Sequence, residues 1–287
     1  MAGASDWRAV PSLLCLRGEL VVVGKSPDGD SIRFRPRQPE LIRGLVNGDR
    51  ARPSSDGTFQ LRLDGIDTPE THYNGLAQPL GAAARDELLA WVGFSDLRWA
   101  GGEVSASTPA SIPAAILTGL VDVNGRPVAF LAVGGGLPDD GVQAEVDLSA
   151  TANAALLRSG AAYGTFYAST APELRDAMRG LAREARTAGL GVWPDDASRG
   201  FTLSSQASIG PEGSLILPKL FRRCTDYLRS RNSRETLSEW MGRMGDQQDD
   251  EVSVGGAAPV RFRTLISQAG DKIALDADPL DLVFDEK

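Results

Sequence analysis

Asp67-Thr68-Pro69-Glu70 is the stretch of this chain best suited to chemistry. Arg62 lies five residues before Asp67, and Asp28-Gly29-Asp30-Ser31 precedes both. Carboxylate and carbonyl oxygens suit a hard divalent cation. A guanidinium beside them suits a phosphate, which it grips through parallel N–H donors. The combination points to phosphodiester hydrolysis at a metal ion. Each piece alone has a plainer reading. Asp-Gly-Asp is a turn. Asp-Thr-Pro-Glu opens a helix, with Thr68 as cap and Pro69 in the first position. Arg62 is a solvated strand arginine, and Asn124-Gly125-Arg126 is a hairpin turn with a surface charge. What outweighs these readings is that all four occur in one order.

The elements that must position these residues are legible as patterns. Residues 16–23 are rich in β-branched side chains and run into the turn signal at 25–29, and a second strand follows over 31–34. Residues 35–57 read as a long loop with one short element around 40–45. Strand character resumes at 59–63, where alternation places Phe59, Leu61 and Leu63 toward a core. Gln60, Arg62 and Asp64 then face the other way, Asp64 as a surface charge or ion-pair partner. Residues 80–92 and 148–157 read as helices. Between them, strand-like runs at 114–123 and 127–133 flank Asn124-Gly125, a hairpin signal. Thr170-x-x-Glu173 is a capping box with Pro172 in the first turn, opening a helix to about residue 187. Residues 196–213 read as a Ser/Gly-rich linker, 217–244 as one or two amphipathic helices that by default pack on the rest of the chain, a dimer contact or a partner site being the alternatives, and 252–284 as strand-like runs.

Composition narrows the function classes. At 287 residues with 42% hydrophobic content, the chain can bury a sizeable core as one large domain or two small ones. A net charge of −8 excludes a protein that coats long duplexes through a broad basic surface. It leaves room for an enzyme that neutralises one phosphate with a cation and two or three arginines. The two cysteines, Cys15 and Cys224, form no Cys-x-x-Cys ligand set, so they read as free thiols rather than a zinc site. The first residues lack a signal peptide's basic start and long apolar run, and no stretch is long enough to span a bilayer. The expectation is a cytoplasmic protein with no membrane partner. His72 is the only histidine, so a histidine general base would have to be this one. It reads as a solvent-facing loop residue.

The order of elements and motifs resembles the staphylococcal nuclease family over residues 16–195. Asp28-Gly29-Asp30-Ser31 is similar to that family's first acidic turn, and Arg62 with Asp67-Thr68-Pro69-Glu70 to its second block. Asn124-Gly125-Arg126 is similar to the turn that carries its second arginine. Residues 156–162 resemble a helix end and the turn after it, and Gly191-Val192-Trp193 the end of the last helix. The resemblance implies an α+β fold: a five-stranded OB-type β-barrel with three helices. Residues 1–15 would precede this catalytic domain, and a mixed helix and strand extension would follow at 214–287.

It also implies roles. Asp30, Asp67 and the Thr68 carbonyl would ligate Ca²⁺. Glu70 would hold or deprotonate the attacking water. Arg62 and Arg126 would bind the phosphate and stabilise charge building on it. Phe166, Tyr167 and Asn124 would meet the nucleotide, although Tyr163, Phe166 and Tyr167 suit packing equally well. Trp193 reads as a packing residue. The implied substrates are DNA and RNA, single strands favoured, cut with low sequence specificity to leave 5′-hydroxyl and 3′-phosphate ends. The alternative is a non-catalytic nucleic-acid-binding or protein-interaction scaffold on the same fold. Three features depart from the family pattern. The loops between Phe34 and Phe59 and between Trp99 and Ile116 are long, Asn124 stands where a tyrosine is expected, and nothing from about residue 200 onward has a counterpart.

Overall fold

The computed structural model describes residues 12–232 and 234–286. The N-terminal segment up to residue 11 therefore lies outside the described residues. The chain opens with β1 (Ser12–Val21) and β2 (Arg33–Pro36), then the short β3 (Phe59–Gln60), β4 (Arg62–Leu63) and β5 (Ile66–Asp67). Helix α1 (Gly81–Val92) is followed by β6 (Ser95–Ala100), β7 (Glu103–Thr108), β8 (Ser111–Val121), β9 (Pro127–Val133) and β10 (Gln143–Glu145). Next come α2 (Ala152–Ser159), β11 (Tyr163–Gly164), β12 (Phe166–Tyr167), α3 (Pro172–Thr187) and β13 (Phe201–Thr202). The last part holds α4 (Pro218–Ser230), α5 (Leu237–Met244), β14 (Glu251–Val254), β15 (Val260–Arg261), β16 (Ile266–Ala269), β17 (Lys272–Leu275) and β18 (Leu282–Phe284).

The main sheet runs β3-β2-β1-β8-β9-β4, with β10 added on β1. Its two ends are one piece of chain. Residues 59–63 pair with β2 on one side through Arg33 and Gln60, and with β9 on the other through Arg62 and Val128. One extended run thus nearly closes the sheet into a barrel. Burial alternates along it as expected, with Phe59, Leu61 and Leu63 inside and Gln60 and Arg62 half-exposed. Among the described residues the sheet has seven strands by pairing rather than five, because Leu61 interrupts the ladder and β10 adds an edge. Strand β9 is buried almost throughout and β8 over its central run Ala114–Thr118, and α2 packs on β9.

Two long insertions are ordered. Residues 39–50 form two 3-10 turns, and the second insertion is the β6–β7 hairpin. The capping box expected at Thr170 is not formed. The cap of α3 is Ala171, with no side-chain bond, because the Thr170 hydroxyl donates to Asp64 Oδ1 at 2.8 Å. That bond also corrects the reading of Asp64 as a surface charge: it is a half-buried acceptor.

Residues 196–213 are not a spacer. Phe201, Leu203 and Ile209 are buried in the same core as the barrel, and β13 pairs with β17. The C-terminal segment is joined just as closely. Strand β18 pairs in parallel with β12, and Leu220, Phe221, Cys224, Trp240 and Phe284 belong to that core. Both cysteines are buried and free. No helix among the described residues is long and apolar enough to cross a membrane.

Candidate active site

Two acidic segments meet at one end of the barrel. Asp67 ends β5, which pairs with β11 opposite Tyr163, so its backbone is fixed by a ladder rather than by a helix start. Thr68, Pro69 and Glu70 continue as irregular chain, and the helix begins only at Gly81. The Asp28–Asp30 turn lies directly against Thr68. A Cβ on Gly29 would come 2.5 Å from Thr68 Oγ1, so only glycine permits the approach. The Asp30 carbonyl accepts the Leu63 N–H at 2.9 Å, which ties that turn to the strand carrying Arg62.

A cavity of about 360 Å³ collects Asp28, Asp30, Arg62, Asp67, Glu70 and Arg126. Arg62 lies over the Tyr167 ring, its Cζ 4.3 Å from the centroid, within cation–π range. Arg126 is held by Asp122, with Nε and Nη2 at 2.9 and 2.8 Å from Oδ2. Asp122 also accepts the backbone N–H groups of Asn124 and Arg126 at 2.9 Å each, so one carboxylate orders the whole β8–β9 turn. Asn124 and Tyr167 reach the cavity wall. Phe166 does not. It is fully buried beneath the Arg179 guanidinium, because successive residues of β12 point to opposite faces. Tyr163 is likewise buried, edge-on to Trp193 at 5.4 Å, and its hydroxyl donates to Asp196. Trp193 packs, as expected of it. His72 is exposed beside the Thr71 hydroxyl.

Helix α4 brings a feature that the motifs did not indicate. Arg222 donates from Nη1 and Nη2 to Oδ1 and Oδ2 of Asp67, at 3.0 and 2.7 Å, and from Nη1 to Glu70 Oε1. Such a two-pronged, charge-assisted pair is among the stronger hydrogen-bond arrangements. Removing one partner of a buried pair leaves a charge alone, at a cost of about 3–5 kcal/mol. Lys219 and Arg223 also line the cavity, both paired with Asp250 at 3.1 and 2.7 Å. The available signal was the spacing of Lys219, Arg222, Arg223 and Asp226 on one helical face, opposite Leu220, Phe221 and Cys224. A solvated charged face has the same pattern.

The electrostatics follow from this packing. Burial, then the facing carboxylates of Asp67, Asp28 and Glu70, push Asp30 well above the ordinary carboxylate range. Burial also works to raise Asp67, but the charge and hydrogen bonds of Arg222 outweigh it and hold the group low. Glu70 stays raised by burial despite Arg222. Burial works against the charge on Arg62, and nearby Tyr167, Asp67 and Glu286 more than restore it.

The donor set fits a hard divalent cation in kind. It is oxygen throughout, and Asp30 is a carboxylate crowded by others. Thr68 Oγ1 is buried with no hydrogen-bond partner at the seam between the two acidic segments. Among the described residues, however, no three Asp, Glu, His or Cys side chains converge closely enough to hold a metal. Asp67 and Glu70 are instead paired with the Arg222 guanidinium. Residues 60–195 match the family model described as staphylococcal nuclease homologue; Asp30 lies ahead of that span and is brought to it by the fold. Comparison with curated proteins returned no match. Residues 60–195 are thus similar to the staphylococcal nuclease family, and the rest of the chain lies outside that likeness.

Proposed function

We propose that this chain is a calcium-dependent phosphodiesterase that hydrolyses DNA and RNA with low sequence specificity, acting in the cytoplasm. The observation that carries the reading is the meeting of Asp30, Arg62, Asp67, Glu70 and Arg126 on one cavity, although they come from separate stretches of chain. Asp30, Asp67 and the Thr68 carbonyl would hold Ca²⁺, which when bound supplies Lewis-acid polarisation of a phosphoryl oxygen. Glu70 takes the proton of the attacking water, and its raised pKa moves it toward neutral, where a base is most effective. Arg62 and Arg126, each held in place by Tyr167 or Asp122, meet the negative charge that builds on the phosphate. These contacts address phosphate rather than base edges, so sequence is read weakly. Tyr167 and Asn124 on the wall favour an unpaired strand, whose bases are free to reach them.

A single-stranded DNA digest with Ca²⁺, with Mg²⁺ and with chelator tests this. Cutting should require Ca²⁺ and leave 5′-hydroxyl and 3′-phosphate ends; cutting in chelator, or 5′-phosphate products, would refute it. The Arg222 contacts favour a second reading, a non-catalytic nucleic-acid-binding scaffold. Retained binding of single strands with no cutting at any Ca²⁺ concentration would select that reading.

A further inference from the structure

The C-terminal segment supplies its own cation to the acid cluster. Arg222 spans both oxygens of Asp67 and reaches Glu70 with the same guanidinium. A guanidinium and a divalent cation compete for the same carboxylate oxygens and repel each other at that range, so Asp67 binds a metal less well while Arg222 sits on it. The neighbouring cations are committed elsewhere, since Lys219 and Arg223 are paired with Asp250. Helix α4 is fastened to the loop after Glu70. Tyr73 and Asn74 donate to Asp226 at 2.7 and 3.3 Å. Gln78 joins the two parts: its amide donates to the Ile216 carbonyl at 2.7 Å, and its side-chain oxygen accepts the Glu70 N–H at 3.1 Å.

We propose that α4 is a built-in latch on this site, resting on the calcium-dependent reading above. Arg222 holds both oxygens of Asp67, the acid it would share with the proposed Ca²⁺ position, together with the neighbouring Glu70, and a divalent cation must displace it from Asp67 to bind there. The chain is then switched by the concentration of free Ca²⁺, with Arg222 setting the threshold. Only one side chain has to leave, and it remains at the cavity wall beside Lys219 and Arg223.

Calcium titration calorimetry on the full chain tests the latch. Its variants are Arg222→Gln, which removes the competitor, and Asp226→Asn, which loosens α4 without touching the acids. Because apparent affinity scales with the fraction of molecules already open, Arg222→Gln should bind Ca²⁺ about tenfold or more tightly than the parent. Asp226→Asn should shift affinity the same way by less. Circular dichroism melts identify the folded variants, and Asp226→Asn decides if Arg222→Gln does not fold. Unchanged or weaker binding in the deciding variant, or no Ca²⁺ binding by any of the three proteins, overturns the proposal. Tighter Ca²⁺ binding without DNA cutting keeps the latch and removes the phosphodiesterase reading. Cutting with unchanged Ca²⁺ affinity does the reverse.

Discussion

Glu70 is positioned by its own backbone as much as by its carboxylate. Gln78 accepts its N–H, and its carbonyl accepts the Gln78 N–H at 2.9 Å, so a substitution at the side chain leaves the loop anchored. Glu70→Gln keeps size and removes basicity. It should slow phosphodiester cleavage about 10²-fold or more with the fold intact, as for other positioned acid–base groups. On the proposed mechanism Arg62→Ala removes a donor to the charge that builds on the phosphate, and it should cost about 10²–10³-fold in kcat. Steady-state kinetics at saturating Ca²⁺ measure both. If both variants cut undiminished, these residues have no part in the chemistry. Tyr167 and Phe166 show how one position along a strand separates a cavity residue from a core residue.

At the scale of elements, the loop at residues 71–78 and α4 act as one unit. Burial, then the bond to Asp226, raises the Tyr73 phenol to about 12 from an ordinary 10.0. A raised folded pKa means that the bond contributes fully below about pH 10 and is lost as pH rises toward 12. Melting temperature should therefore fall between pH 10 and 12 more steeply for the parent than for Tyr73→Phe. Parallel melting curves for the two proteins would show that the bond plays no such part. The β5–β11 pairing does comparable work for Asp67, holding its backbone opposite the buried Tyr163.

At the scale of the whole molecule, the barrel and the segment after residue 196 share one core. Strand β18 lies against β12, and Leu280, Leu282 and Phe284 are buried. A chain cut near Gly200 would expose β12 and the apolar surface that these side chains cover. The fragment ending at residue 200 should therefore be poorly soluble and melt without cooperativity. A fragment that is soluble, cooperative and as active as the full chain would make the remainder accessory.

Much of the barrel was legible from local pattern. The alternation at 59–63, the Asn124-Gly125 turn between β8 and β9, and the apolar spacing of α1 are short-range signals set by backbone geometry. The motif residues could be named for the same reason, because turns and strand faces dictate where they point. Other assignments needed distant partners. The Thr170 hydroxyl bonds Asp64 rather than its own helix, and the apparent linker at 196–213 carries core residues, because both depend on chain far away in sequence. Arg222 is the sharpest case. It lies 155 positions from Asp67, and nothing local distinguishes it from a solvated helix arginine. The sequence alone determined which acids and arginines were candidates for the proposed site. Only the tertiary structure decided that a helix from the C-terminal segment would bring a cation into it, since that contact exists only when the core closes.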